Sequence, residues 1–125
     1  GAERPLVVGD RLDTDILGGN NAGFATVAVL TGVDTRQTIL AARVAERPDY
    51  IISSLADLHR AYPEVTHDDG TYACGEATAR VANGAVGIIG SPDSLDSWRA
   101  ACAAWWGATP DAAVPQTPEL VWLDH

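Results

Sequence analysis

Two aspartates, Asp10 and Asp15, lie five residues apart at the end of a short apolar run, in the segment LVVGDRLDTDIL of residues 6–17. An apolar run that ends in Gly-Asp predicts a buried strand with Asp10 at its carboxyl end, where parallel α/β sheets collect their ligand chemistry. A turn over residues 11–13 then leads into a helix near Thr14, which places Asp15 in the first helical turn. Because Mg²⁺ binds one or two carboxylates together with water and phosphate oxygens, this acidic pair predicts a magnesium site.

The same loop also has a simpler interpretation. Asp13 or Thr14 could cap the helix with a side-chain oxygen, and Asp10 would then be an ordinary turn residue. Asp15 would favour the positive end of the helix dipole without any metal. The context of the loop has to decide between the two interpretations.

The residues after this loop predict strands that alternate with helices. Two further apolar strands are expected at residues 26–30 (TVAVL) and 50–52, and the first of these is apolar enough to be buried on both faces. Helices are expected at residues 17–22, from a cap at Asp34 or Thr35 to residue 44, and at residues 55–60, with Gly23 and Pro48 as breaks. This alternation indicates an α/β fold with a doubly wound, Rossmann-like parallel sheet.

The segments VVGDRLDTDILGGNNAGFATVAVLTGV and PDYIISSLADL together resemble the C-terminal part of the catalytic core of a haloacid dehalogenase (HAD) superfamily phosphatase. The likeness is to subfamily IIA, the p-nitrophenyl and glycerol-phosphate phosphatases, and it covers about residues 5–60. The resemblance implies that Asp10 binds Mg²⁺ directly and that Asp15 orients a metal-bound water or the loop. It also implies that Gly9 permits the close backbone approach that a metal and phosphate site requires.

The reaction that this resemblance implies is magnesium-dependent hydrolysis of a small phosphate monoester, such as glycerol 3-phosphate, through an aspartyl-phosphate intermediate. That chemistry needs a nucleophilic carboxylate, an acid and base, a cation on the phosphate and a metal ion. All eight basic residues of this chain are arginines, so the family's phosphate-binding lysine is not here. The chain is therefore expected to supply only the metal-binding loop and to be inactive alone.

The segment from His67 to Thr71, HDDGT, resembles the DxDGT nucleophile loop of the same family. His67, however, stands where the nucleophilic aspartate belongs, and no apolar strand precedes it. Asp69-Gly70 predicts a tight turn instead.

Because the nucleophilic aspartate and the phosphate-binding lysine are absent, we expect the chain to be a fragment. The nucleophile, the lysine and the substrate-covering cap would then lie on upstream sequence. The expected partners are the N-terminal part of the same protein, a small phosphorylated metabolite and a second copy of this chain in a homodimer. The use of arginine alone and the many alanines indicate a GC-rich, actinobacterial source.

Two other classes of function stay open on the sequence. The chain could be a non-catalytic binding or dimerisation module in which the acidic loop is only structural. It could also be a phosphoacceptor similar to a receiver domain, although such a domain needs a lysine that this chain lacks.

The second half of the chain predicts a separate small α+β extension at residues 64–125, after a HAD-type core at residues 1–63. Runs of β-prone residues at 71–81 and 85–89 flank Asn83-Gly84, which is a strong hairpin signal. A helix is expected at residues 94–106 and a strand at 119–123, giving a ββαβ order. The spacing of Trp98 and Trp105 favours packing of the tryptophans in a core over an exposed cluster that binds a partner.

Composition narrows the classes of function further. A net charge of −9 argues against nucleic acid or an anionic membrane as a partner, since phosphate groups select basic surfaces. No apolar run approaches the length of a membrane span. Cys74 and Cys102 show no metal-binding spacing and are expected to be reduced core thiols, as is usual in a cytoplasmic protein.

Overall fold

The computed structural model describes residues 6–30 and 34–123. The chain divides into two compact units. Unit 1 comprises Gly1–Arg60 and Ala112–Gln116, and unit 2 comprises Ala61–Asp111 and Thr117–His125. The junction therefore lies after Arg60, close to the expected bounds of 1–63 and 64–125, and one short segment of the second half belongs to unit 1.

Unit 1 is built on a three-stranded parallel sheet. Its strands are β1 (Leu6–Gly9), β2 (Ala25–Val29) and β3 (Tyr50–Ile52), in the order β1-β2-β3. The central strand β2 pairs with both neighbours and is buried at four of its five positions, which explains its continuous apolar sequence. The predicted α/β fold with a parallel sheet is confirmed.

The chain between β1 and β2 forms a single helical segment. A π-helical turn at Leu12–Ile16 continues into α1 (Leu17–Asn21). The helix ends as expected at Gly23, whose φ is +78°, and the amides of Gly23 and Phe24 donate to the carbonyls of Asn20 and Gly19. This pair of hydrogen bonds is the Schellman arrangement, which places a left-handed residue after the helix.

The helix expected to reach residue 44 is shorter in the structure. α2 (Arg36–Leu40) begins at the N-cap Thr35, whose hydroxyl accepts a hydrogen bond from the Thr38 amide, and a separate 3₁₀ turn follows at Val44–Glu46. The backbone groups that would extend α2 pair elsewhere, because the Ala41 carbonyl accepts from the Gln116 amide and the Val44 amide donates to Ala112. The expected helix at residues 55–60 is likewise a 3₁₀ turn, at Leu55–His59.

A polar network around the buried Thr26 links the two connections of the unit 1 sheet, the one from β1 to β2 and the one from β2 to β3. Thr26 is fully buried, and its amide and hydroxyl bond the carboxylate of Asp49 and the side-chain oxygen of Asn20. The Asn20 amide group donates in turn to the carbonyls of Ala45 and Arg47. Thr26, the buried residue of this network, therefore has a partner for both its amide and its hydroxyl, as burial requires.

Unit 2 contains a five-stranded sheet and one long helix. The strands are β4 (Val65–Asp68), β5 (Thr71–Cys74), β6 (Ala77–Ala82), β7 (Ala85–Ile89) and β8 (Glu119–Leu123), paired in that order. Neighbouring strands are antiparallel except β7 and β8, which are parallel and joined through α3 (Leu95–Ala108). The parallel pair requires such a crossover.

The expected ββαβ order was wrong in two places. β4 was not expected, because its sequence VTHD is polar and mostly exposed. The run at 71–81 is two strands separated by Gly75-Glu76, with Gly75 at a φ of +58°. The two turn predictions are confirmed, since Asn83-Gly84 joins β6 to β7 and Asp69-Gly70 joins β4 to β5, all four residues having positive φ.

The core of unit 2 lies between α3 and the sheet. Trp98 and Trp105 are buried, and the Trp98 ring meets Trp122 of β8 edge to face with centroids 5.5 Å apart. The prediction that these tryptophans pack in a core is confirmed. Cys74 and Cys102 are also buried, and no disulfide joins them. Among the helices that the structure describes, none has both the length and the apolar character of a membrane span.

The left-handed end of the first helix predicts opposite effects of alanine at two glycines. Neither Gly18 nor Gly23 has a neighbour that a methyl group would contact, so only backbone conformation differs. Gly23→Ala should destabilise unit 1 by about 1 kcal/mol, because φ is positive there. Gly18→Ala, within α1, should stabilise it by about 0.5–1 kcal/mol. Hydrogen exchange of the β2 amides measures both changes in stability. If the two substitutions changed the stability of unit 1 equally, the left-handed conformation assigned to Gly23 would be contradicted.

The buried thiol of Cys74 predicts a stability change at high pH. Burial, followed by the hydrogen bond to Asp96, raises the pKa of Cys74 to about 11 from 9.0. The folded chain therefore keeps a proton that the unfolded chain loses, and the unfolding free energy of unit 2 should fall as pH rises from about 9 to 11. Tryptophan fluorescence follows this unfolding, since all four tryptophans lie in unit 2. In Cys74→Ala, the unfolding free energy should fall less steeply over this pH range. The same slope as in wild type would show that the Cys74 thiol does not cause the decline.

Candidate metal-binding loop

The candidate site lies at the carboxyl end of β1, where the chain turns into its first helical segment. Asp10 directly follows the strand, and both Asp10 and Asp15 are partly buried. β1 and β2 are parallel, so the residues after both strands reach the same edge of the sheet. This edge is where open α/β sheets place ligands.

The helical segment begins at Leu12, before the expected start near Thr14, and its first turn is a π-helical turn, which is wider than an α-helical turn. Its N-cap is Arg11, which makes no side-chain capping bond, and its first residue is Leu12. The Arg11 carbonyl accepts from the amides of both Asp15 and Ile16, at 3.1 and 3.2 Å, which defines the π-helical turn. Capping by Asp13 or Thr14 is therefore wrong, whereas Asp15 does lie in the first turn as expected.

Asp34, which follows β2, performs the capping that the sequence assigned to the loop itself. Its carboxylate accepts a 2.7 Å hydrogen bond from the Leu12 amide, and its own amide donates to the Asp10 carbonyl at 3.3 Å. The two bonds hold the loop on both sides of Arg11 and tie it to the neighbouring crossover. Of the two residues expected to cap α2, Asp34 and Thr35, the structure gives that role to Thr35.

Gly9 makes room for Asp15. A Cβ atom built on Gly9 would overlap the Cβ, Cγ and Oδ2 atoms of the Asp15 side chain. The structure thus brings Gly9 and Asp15 into direct contact. The expected close approach at Gly9 is made by this side chain, which any larger residue at position 9 would displace.

Arg11 lies among the acidic residues of the loop. Its guanidinium donates two hydrogen bonds to the exposed Asp13 carboxylate, at 3.0 and 2.9 Å. This pairing raises the pKa of Arg11, with smaller contributions from the charges of Asp34 and Asp10, and lowers the pKa of Asp13. Asp13 is therefore occupied by Arg11, and it is not a candidate ligand.

The carboxylates of Asp10 and Asp15 are suited to a metal site that groups outside this loop complete, rather than to a site formed by this loop alone. Within residues 6–30 and 34–123, neither the Asp10 nor the Asp15 carboxylate accepts a hydrogen bond, and no group of three or more His, Cys, Asp or Glu residues could hold a metal ion. Mg²⁺ commonly takes one or two protein carboxylates and completes its shell with water and substrate phosphate. The partly buried, unpaired Asp10 is suited to be one such ligand.

The first half of this chain is similar to known phosphatases. Residues 1–58 match the family model described as "HAD-hyrolase-like". The glycerol-3-phosphate phosphatase of Gallus gallus is 47% identical over 62 residues, covering 44% of this chain and 20% of that protein. The D-glycerol 3-phosphate phosphatase of Mycobacterium tuberculosis is 51% identical over 55 residues, covering 44% and 16%. Human chronophin is 49% identical over 59 residues, covering 44% and 20%.

Solved structures extend the similarity to nearly the whole chain. The glycerol phosphate phosphatase of Mycobacterium tuberculosis in complex with calcium is similar with a TM-score of 0.78 and 32% identity, over 98% of this chain and 36% of that one. The magnesium complex gives a TM-score of 0.74 and 34% identity, over 96% and 34%. The fold of this chain therefore matches about a third of the length of that glycerol phosphate phosphatase.

Residues 1–58 are accordingly similar to HAD-like hydrolases, over slightly less than half of the chain. Its similarity is to the glycerol-3-phosphate phosphatases and chronophins. The matches span about a fifth or less of the length of these curated relatives.

The Asp34 bonds predict that this residue controls the order of the loop. Asp34→Ala should speed hydrogen exchange of the Leu12 amide and lower the stability of unit 1 by about 1–2 kcal/mol, the usual effect of losing a helix cap. Asp13→Ala is the matched control, because it removes an exposed carboxylate from the same loop and should leave the Leu12 exchange rate unchanged. If the Leu12 amide exchanged at the same rate in wild type and in Asp34→Ala, Asp34 would not hold the loop in place.

Proposed function

We propose that this chain supplies the metal-binding loop of a magnesium-dependent phosphatase that hydrolyses a small phosphate monoester, with glycerol 3-phosphate as the best candidate. The observation that carries the proposal is the partly buried Asp10 carboxylate, which is unpaired among the described residues and is held at the carboxyl end of β1 by the Asp34 bonds. The substrate class rests on the similarity to glycerol-3-phosphate phosphatases.

In this proposal a carboxylate oxygen outside the described loop attacks the phosphorus of the monoester. The ester P–O bond breaks, the alcohol leaves with a proton from a general acid, and an aspartyl phosphate forms. Water then gives a proton to the conjugate base of that acid and attacks the same phosphorus, the aspartyl P–O bond breaks, and inorganic phosphate and the free carboxylate are released. The nucleophile, the acid and base and the phosphate-binding lysine come from the N-terminal part of the same protein.

Asp10 would hold Mg²⁺ through its carboxylate, and Asp15 would orient a metal-bound water or the loop from the first helical turn. The bound Mg²⁺ would neutralise charge on the phosphate oxygens. That local positive charge is needed here, because the chain as a whole carries a net charge of −9 and would otherwise repel a phosphorylated substrate. Arg11, which is already engaged by Asp13, cannot replace the missing lysine without breaking that pair.

The remaining elements of the proposal concern partners and location. We propose a cytoplasmic protein, which agrees with two buried cysteines that form no disulfide with each other. A homodimer of the chain is a further proposal, and sedimentation measurements at several concentrations test it independently of activity.

A chimera tests the function. Residues 1–125 replace the structurally matching region of the Mycobacterium tuberculosis glycerol phosphate phosphatase, which supplies the other catalytic groups. The chimera should hydrolyse glycerol 3-phosphate only with Mg²⁺, and Asp10→Asn should lower kcat/KM by about a hundredfold or more. Asp13→Asn, a change of the same chemistry in the same loop, should leave kcat/KM nearly unchanged because Asp13 is paired with Arg11 and exposed.

A second measurement separates metal binding from turnover. In the chain alone, millimolar Mn²⁺ should broaden the amide signals of residues 10–15, and Asp10→Asn should remove this broadening while Asp13→Asn retains it. A folded chimera without activity would count against the phosphatase proposal. Broadening that persists in Asp10→Asn would exclude Asp10 as the ligand.

A further inference from the structure

Unit 2 contains a cleft at the amino end of α3 that has no part in the metal-binding loop. Its volume is about 500 Å³, within the usual range for sites that bind small molecules. We call it the α3 cleft. Its principal lining residues are Gly75, Glu76, Gly90, Ser94, Asp96 and Ser97.

Ser97 is the first feature of this cleft that indicates a ligand. The residue is fully buried, and its hydroxyl has no hydrogen-bond partner. A buried hydroxyl without a partner costs free energy, and native proteins retain few of them. Because Ser97 lines the cleft, a bound polar group is the natural partner for this oxygen.

The start of α3 adds further hydrogen-bond donors at the same place. α3 has 14 residues, and the amides of Leu95 and Asp96 in its first turn have no acceptor among the described residues, whereas the Ser97 amide donates to the Ser94 carbonyl. The N-cap residue Ser94 makes no side-chain capping bond that would satisfy them. Together with the Ser97 hydroxyl, these amides form an end of the cleft that favours a carboxylate.

Two glycines allow the cleft walls to approach these groups. Gly90 has a φ of +151°, and a Cβ there would overlap the Ser97 hydroxyl. Gly75 has a φ of +58°, and a Cβ there would overlap Asp96 Oδ2. The turn between β5 and β6 and the loop after β7 therefore lie directly against the first turn of α3.

The charges of the cleft restrict the ligand. Asp96 Oδ1 accepts hydrogen bonds from Arg99 and Cys74. The other carboxylate oxygen, Oδ2, lies next to Gly75. The exposed Glu76 has no ion pair among the residues that the structure describes. Asp96 is paired with Arg99 at 2.9 Å, whereas Glu76 is unpaired among the described residues and no arginine lines the cleft, so the side-chain charge of its lining is negative while its helix end is positive. A phosphate dianion would be repelled by these carboxylates, and an uncharged polyol would leave both charged ends unmatched.

We propose that the α3 cleft binds a small zwitterionic amino acid, with the ligand carboxylate on the α3 amides and Ser97 and its ammonium group on Glu76 and Asp96. The site is separate from the proposed phosphatase function and needs neither Mg²⁺ nor turnover. It gives unit 2 a ligand-binding role of its own.

Titration of the ¹⁵N-labelled chain with L-serine tests the proposal by NMR. Saturable shifts should appear at the amides of residues 94–97, and Ser97→Ala and Glu76→Gln should each weaken binding about five- to tenfold. Glu119→Gln on β8 is the matched control, because it removes an exposed carboxylate of unit 2 outside the lining and should leave binding unchanged.

Several results would overturn the proposal. Ser97→Ala removes an unsatisfied hydroxyl, so it should fold with an unchanged or higher unfolding midpoint. If this folded variant binds L-serine as wild type does, the hydroxyl is only a packing defect. Glycerol or inorganic phosphate binding as tightly as L-serine would show that the ligand class is wrong, and the absence of any saturable shift would exclude the site.

Discussion

The parallel pairing of β2 with both of its neighbours is the constraint on which unit 1 depends. Parallel strands must be joined by crossovers, so the π-helical turn, α1 and α2 all exist to return the chain to the same end of the sheet. The pairing also brings the residues that follow β1 and β2 to one edge. Asp34 can therefore reach the loop that carries Asp10, although 24 positions separate them in the sequence.

The two units satisfy their buried polar groups in different ways. In unit 1, the buried Thr26 finds hydrogen-bond partners in Asn20 of the first crossover and Asp49 of the second. In unit 2, the Ser97 hydroxyl stays unmatched at the amino end of α3 while Arg99 and Cys74 share Asp96. A satisfied network specifies one structure, whereas an unsatisfied group at a cleft indicates a place for a ligand.

Local signals in the sequence predicted much of this structure. The apolar run of β2, the Asn83-Gly84 and Asp69-Gly70 turns and the helix end at Gly23 each depend on neighbours in the chain, and each was predicted correctly. β4 was missed because its polar sequence is stabilised by pairing with β5 rather than by burial. The length of α2 and the bracing by Asp34 depend on partners far along the chain, to which propensity and spacing are insensitive.

The contact between Gly9 and Asp15 has a consequence for how this loop can evolve. The atom nearest to a side chain at position 9 would be the Asp15 Cβ, which every residue except glycine carries. A substitution at position 9 therefore clashes whether or not position 15 keeps its carboxylate. Position 15 is free to change in this respect, whereas a glycine at position 9 should persist with any residue other than glycine at position 15.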